Sequence, residues 1–171
     1  MLKHLPADIV HLVPENRLCA TMIEMLNIEG MVLEPAGALS IDILAALPND
    51  MLAGKNIVCV TSGGNFDFER LPEVKEKALK YSGLKKYFIL RMPQRPGALK
   101  DFLNMIGPND DIARFEYLKK SARNFGTVLM GIETNDPKNF EALKEKLVEG
   151  DFGFQDITDN DLLSSLIIWS A

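Results

Sequence analysis

From Lys85 to Met92 the side chains alternate, with Phe88, Leu90 and Met92 on one side and Tyr87, Ile89 and Arg91 on the other. A period of two predicts a pleated strand, and because the second face is also mostly apolar, one covered on both sides. Pro93 and Pro96 cannot donate to a ladder and push the residues before them away from helical dihedrals. The strand therefore stops near Met92 and a turn follows at Gln94 to Gly97. Leu99, Phe102, Leu103 and Ile106 then share one helical face, which Gly107-Pro108 closes. The rest of the chain is organised around this strand, turn and helix.

Upstream, Ile9 to Val13 is a short β-branched run ended by Pro14 and predicts a strand. Glu15 to Asn27 carries Leu18, Met22, Ile23 and Leu26 at helical spacing, with Gly30 just beyond. A second helix follows Glu34-Pro35-Ala36-Gly37-Ala38, with Leu39, Ile43, Leu44 and Leu47 as its apolar positions before Pro48. Ile57 to Val60 is a continuous apolar run of strand length, as expected of a buried parallel strand. It ends in Thr61-Ser62-Gly63-Gly64-Asn65, and Leu71 to Leu79 makes a third helix. This half reads as α/β with too few strands for a complete doubly wound sheet.

Tyr81-Ser82-Gly83 is the expected boundary, giving domains at 1–84 and 85–171. Beyond the central stretch, Ile112 to Leu118 places Ala113, Phe115 and Tyr117 on one face and Arg114 and Glu116 on the other. A turn at Asn124 to Gly126 joins it to a second alternating strand, Thr127 to Glu133. Asp136 caps a helix begun by Pro137, with Phe140, Leu143 and Leu147 inward, and Phe152 to Ile157 returns as a strand. Asp159 to Ser165 reads as a short helix and Leu166 to Trp169 as a last apolar, strand-like run. The order β-α-β-β-α-β predicts an α+β, ferredoxin-like domain with two helices on one face of an antiparallel sheet.

Composition narrows the function. A formal net charge of −5 over 171 residues argues against a nucleic-acid partner or a basic membrane-surface role. No apolar run approaches the ~20 residues of a membrane span, and MLKHLPADIV lacks a signal-peptide core, so a cytoplasmic protein is expected. Cys19 and Cys59 sit in apolar settings without CxxC spacing, and His4 and His11 are the only histidines. Reduced core thiols are expected, with no zinc site and no histidine-dependent hydrolase.

Candidate chemistry falls in two turns. Ser62-Gly63-Gly64-Asn65 follows a predicted buried strand, where open α/β sheets hold ligands, and a serine hydroxyl there can bond a ring nitrogen or a phosphate. Two glycines without a complete nucleotide fingerprint more often mark a plain strand-to-helix turn. Arg95 beside Gly97 can bind a small carboxylate or be a surface arginine, and Tyr117 can reach a ligand or lie in the core. Glu34 before Pro35 reads as a solvated cap. Lys119, Lys120 and Arg123 read as a solvated hairpin end.

The segments VPENRLCATMIEMLNIEG, GMVLEPAGALS, GKNIVCVTSGGN, KKYFILRMPQRPGALKDFLN and NDDIARFEYLKK follow one another here. In that order they resemble the C-terminal part of biosynthetic threonine dehydratase (threonine ammonia-lyase), across essentially the whole chain. The resemblance implies that residues 1–84 are part of a fold-type-II pyridoxal-phosphate domain and 85–171 an ACT-like regulatory domain. It implies that Ser62, with Gly63, Gly64 and Asn65, faces the cofactor, Ser62 bonding its pyridine nitrogen. It implies an effector, isoleucine or valine, at Gln94, Arg95, Pro96, Gly97, Ala98, Leu99 and Tyr117, and a homo-oligomer built through the ACT-like domains.

The family's Schiff-base lysine in its Ser-Phe-Lys-x-Arg-Gly setting is missing from this sequence, as is the Gly-rich phosphate loop. No dehydratase activity is therefore expected of this chain alone, which is either part of a longer enzyme or a separately encoded regulatory remnant. The preferred expectation is an amino-acid-binding regulatory module without bound cofactor. The alternative is a lyase that works only when another chain supplies the missing catalytic half.

Overall fold

The computed structural model describes residues 10–119, 125–160 and 162–163. The expectations at Ile9, Lys120, Arg123 and Asn124, for most of the 159–165 helix, and for Leu166 to Trp169 lie outside the described residues. The chain divides into two compact units, Met1–Tyr81 and Ser82–Ala171.

In the first unit, α1 (Glu15–Glu29) starts after Pro14 and ends at Gly30, whose φ of 66° lets its amide turn back to the Met25 carbonyl. Leu18, Cys19 and Met22 on its inner face pack with Ala38 of α2 (Pro35–Asp42) and with Val74 and Ala78 of α4 (Leu71–Tyr81). A 3₁₀ turn (Ile43–Ala46) and the short α3 (Asn49–Leu52) lie between α2 and a long irregular stretch. Asp42 at the end of α2 is buried and fully partnered. Arg17 donates to its Oδ2 from Nε at 2.9 Å and Nη2 at 2.7 Å, and Thr21 donates to its Oδ1 at 2.9 Å. That bond to Asp42 is the main cause of the raised pKa of the Arg17 guanidinium.

The strands expected at Ile9 to Val13 and Ile57 to Val60 do not form among the described residues. Ile57 to Val60 is not a buried strand either, since Val58 is 87% and Val60 75% exposed. A strand exists only through its ladder, and the described part of this unit is helix and loop, with no second strand to pair. The expectation of an α/β first half is corrected accordingly: its described part is helical.

The second unit is the expected β-α-β-β-α-β. Its strands are β1 (Lys85–Pro93), β2 (Asp110–Lys119), β3 (Phe125–Thr134) and β4 (Gly153–Asp156), with α5 (Ala98–Met105) and α6 (Asn139–Glu149) between them. The sheet runs β2-β3-β1-β4 and every pair is antiparallel. Phe88, Leu90 and Met92 of β1 and Val128, Met130 and Ile132 of β3 form the helix-side core with Phe102, Phe140, Leu143 and Leu147. On the other face Tyr87 and Leu129 are covered by Ile157, with Ile89 and Leu163 alongside.

Two details depart from strict periodicity. The β2–β3 register shifts between Ile112 and Arg114 and again between Tyr117 and Lys119, so Ala113 is a bulge residue and Ile112 packs against the core with Phe115. On α5, Ala98 and Phe102 are buried, whereas Leu99 and Leu103 remain 41% and 45% exposed. The four apolar positions of that helix therefore do not share one buried face. Among the described residues no helix is long and apolar enough to cross a membrane.

Candidate functional site

The turn between β1 and α5 is built by its backbone punctuation. Pro93 is the last residue of β1, and Gly97 takes a φ of +86°, a left-handed conformation that glycine reaches without penalty. The Ala98 amide closes the turn on the Arg95 carbonyl at 3.3 Å, and the Asp101 amide donates to the Gly97 carbonyl at 2.9 Å. Gln94, Arg95, Pro96 and Gly97 are exposed, while Ala98 is buried beneath them.

Arg95 does not extend freely from this turn. Its Nη2 donates to Asp101 Oδ2 at 2.6 Å, and its Nη1 lies 4.0 Å from the point where a Cβ on Gly97 would stand. The guanidinium thus lies near Gly97, the one residue of the turn without a side chain. Leu99 and Leu103, four residues apart on α5, supply exposed apolar surface.

Tyr117 meets the same end of the sheet. Its hydroxyl donates to the Met92 sulfur at 3.4 Å, one residue before Pro93, and its ring packs edge-on against Phe115 at 5.6 Å. Met92 pairs with Gly126 on the intervening strand, which leaves no side chain in the way. Tyr117 is nonetheless 46% exposed, close to half-exposed Leu118 in sequence. Arg91 lies over the Phe125 ring at 5.2 Å, but on the face of the sheet opposite Met92 and so away from Tyr117. Sequence reasoning picked out Arg95 and Tyr117 but missed Asp101 and the exposure of Leu103. Asp101 carried one signal, an acid in the first turn of a helix.

In the first unit the two small-residue motifs come together. The Glu34 amide donates to the Gly63 carbonyl at 3.3 Å, and a Cβ on Gly63, whose φ is +91°, would run into the Glu34 carboxylate. A Cβ on Gly37 would stand 2.7 Å from the carbonyl oxygens of both Ser62 and Gly63. Ser40 fixes the preceding residues: its hydroxyl donates to the Val60 carbonyl at 2.9 Å, and the Cys59 thiol donates to the Ser40 carbonyl at 3.2 Å. Helix α2 therefore sets the position of the Ser62 turn. Glu34, read from sequence as a solvated cap, is packed against that turn.

Ser62, Gly63, Gly64 and Asn65 are all exposed, so the turn offers one hydrogen-bonding edge and no enclosing wall. The described residues alone do not make a seat for pyridoxal phosphate. Cys19 is buried and its thiol is pushed up by that burial, in keeping with an inert core thiol. Among the described residues no group of His, Cys, Asp and Glu could hold a metal ion.

A family model for the C-terminal regulatory domain of threonine dehydratase matches residues 76–167, a span that includes the Gln94–Leu99 turn and Tyr117. Similar proteins include the L-threonine dehydratase biosynthetic IlvA of Staphylococcus aureus (strain NCTC 8325 / PS 47), 46% identical over 159 residues, covering 91% of this chain and 37% of the relative. The protein of the same description from Halalkalibacterium halodurans is 45% identical over 162 residues, covering 94% of this chain and 39% of the relative. The chain thus spans less than two-fifths of the length of these curated relatives.

Proposed function

Because the chain belongs to the family of threonine dehydratase C-terminal regulatory domains, we propose that its second unit binds a branched aliphatic amino acid, isoleucine or valine, and regulates a pyridoxal-phosphate-dependent dehydratase. The observation that carries this reading is the composition of one surface. The turn from Gln94 to Leu99 sets the cationic Arg95 beside exposed Leu99, with the half-exposed Tyr117 ring anchored to Met92 at the same end of the sheet. A guanidinium suits the ligand carboxylate, and leucine and aromatic surface suits an aliphatic side chain. The exposed Leu99, Leu103 and Leu118 also favour pairing with a second copy of the domain, which would enclose the ligand. Regulation needs a second site and a coupling free energy between the two, and the catalytic part of the longer enzyme supplies that site.

Calorimetry of the chain with isoleucine and with valine, alongside native mass measurement, tests this. Saturable binding of at least one of them by a dimeric sample is expected. A dimeric sample that binds neither overturns the reading.

A second reading is favoured by the first unit. Ile57, Val58 and Val60 stand exposed immediately before the Ser62 turn, and Glu34 and Gly37 hold that turn in place. An apolar run with an ordered but open turn is what remains when part of a cofactor site lies on other residues. In this reading Ser62 completes a pyridoxal-phosphate site whose lysine and phosphate loop come from the catalytic half, in the same or another chain. Mixing this chain with the catalytic half of the Staphylococcus aureus relative and pyridoxal phosphate should raise a visible absorption band that neither polypeptide gives to the same extent alone. No added band on mixing removes this reading and leaves the regulatory one intact.

A further inference from the structure

We propose that Asp101 acts as an internal stand-in for the ligand carboxylate at Arg95, so that the effector must displace a group of this chain before it can bind. The inference rests on the regulatory reading of the β1–α5 turn. Arg95 Nη2 and Asp101 Oδ2 are 2.6 Å apart, the length of a charge-assisted bond. Asp101 thus holds one edge of the guanidinium that a ligand carboxylate would take. A second carboxylate cannot share that edge without like-charge repulsion.

The pair is also built to open. The Arg95 and Asp101 side chains are 55% and 42% exposed, so a dissolved carboxylate reaches them and water screens their attraction. Nη1 lies over Gly97, where no side chain obstructs the guanidinium as it swings from one carboxylate to another. The Asp101 backbone is held in the first turn of α5 by the hydrogen bond its amide donates to the Gly97 carbonyl, so the competitor stays beside the site when Arg95 leaves. The result is a weak, permanent brake on affinity.

A merely structural ion pair and an internal competitor predict opposite signs. Removing the carboxylate while keeping its shape, Asp101→Asn, should tighten isoleucine binding about two- to fivefold, the range expected for releasing one exposed ion pair. A general loss of negative charge near the site would also tighten binding, so the same substitution is measured again in an Arg95→Gln background. There the gain should vanish, because Asp101 acts through Arg95.

Calorimetry with isoleucine and with valine on the four proteins gives the answer, with circular dichroism confirming that each is folded. Unchanged or weaker binding by Asp101→Asn overturns the proposal and leaves the regulatory reading standing. So does a gain that persists without Arg95. Absence of any binding by the wild-type chain overturns the proposal and the regulatory reading together.

Discussion

Replacing Phe88 by alanine is expected to cost the second unit about 3–5 kcal/mol, the range for emptying a fully buried aromatic position. Phe88 is 0% exposed and stands at the centre of β1, paired with Met130 on one side and Asp156 on the other. Its ring centre lies 6.2 Å from that of Phe140 on α6 and 6.1 Å from that of Phe154 on β4, so the cavity would open where sheet and helix meet. A domain of this size has only about 5–15 kcal/mol in hand, so the loss is a large share of the total. Because the chain has two compact units, one melting temperature would mix their responses. Amide exchange separates them. Protection should fall throughout β1, β3 and α6 in Phe88→Ala while α1 and α4 keep theirs, and a loss below about 1 kcal/mol would contradict the packing described.

The second unit was legible in sequence because its signals are local. Period-two alternation at 87–92 and 128–132 and Pro93 and Pro96 at the strand end each specify an element from a few neighbours. Asp136 and Pro137, by contrast, expected to cap and begin α6, lie in the turn before it, Asp136 accepting from the Lys138 amide and the helix starting at Asn139. What periodicity cannot register is an extra residue. The bulge at Ala113 moved Ile112 to the core side, which strict alternation assigns to Ala113. Nor does a helical stripe say which of its leucines finds a partner. On an eight-residue helix, Ala98 and Phe102 took the core and Leu99 and Leu103 stayed at the surface. In the first unit the apolar runs around Val10 and Ile57 were read as strands from composition, but a strand is a pairwise object and the described residues offer no partner.

The candidate sites divide along the same line. Arg95, Gly97 and Tyr117 were recognisable from residue type and position. The Asp101 partner of Arg95 and the bond from Tyr117 to Met92 were not, because each depends on where a side chain points after folding. The meeting of Glu34 and Gly37 with Ser62 and Gly63 spans more than a full helix of intervening chain, and only the assembled unit brings those residues together.

That meeting makes Gly37→Ala the most informative substitution in the first unit. Gly37 lies within α2, where alanine in place of glycine would ordinarily stabilise a helix by about 1 kcal/mol. Here the added Cβ would stand 2.7 Å from two carbonyl oxygens, those of Ser62 and Gly63. Both obstacles are backbone, so no side chain can rotate aside and the turn itself must move. Overpacking of this kind costs about 1–3 kcal/mol, which outweighs the helix gain, so the net effect is expected to be destabilising. Movement of the turn should also lengthen the bond from the Glu34 amide to the Gly63 carbonyl and speed exchange of that amide. Gly64→Ala provides the contrast, since its Cβ would meet nothing nearer than the Val32 carbonyl at 3.8 Å and should change stability by less than about 0.5 kcal/mol. Denaturation of both variants, followed through α1 amides, decides the matter: a Gly37→Ala chain as stable as wild type would mean that α2 does not set the Ser62 turn. If it does, Gly37→Ala should also lower the cofactor absorption gained on mixing with a catalytic half, because the added Cβ displaces Ser62.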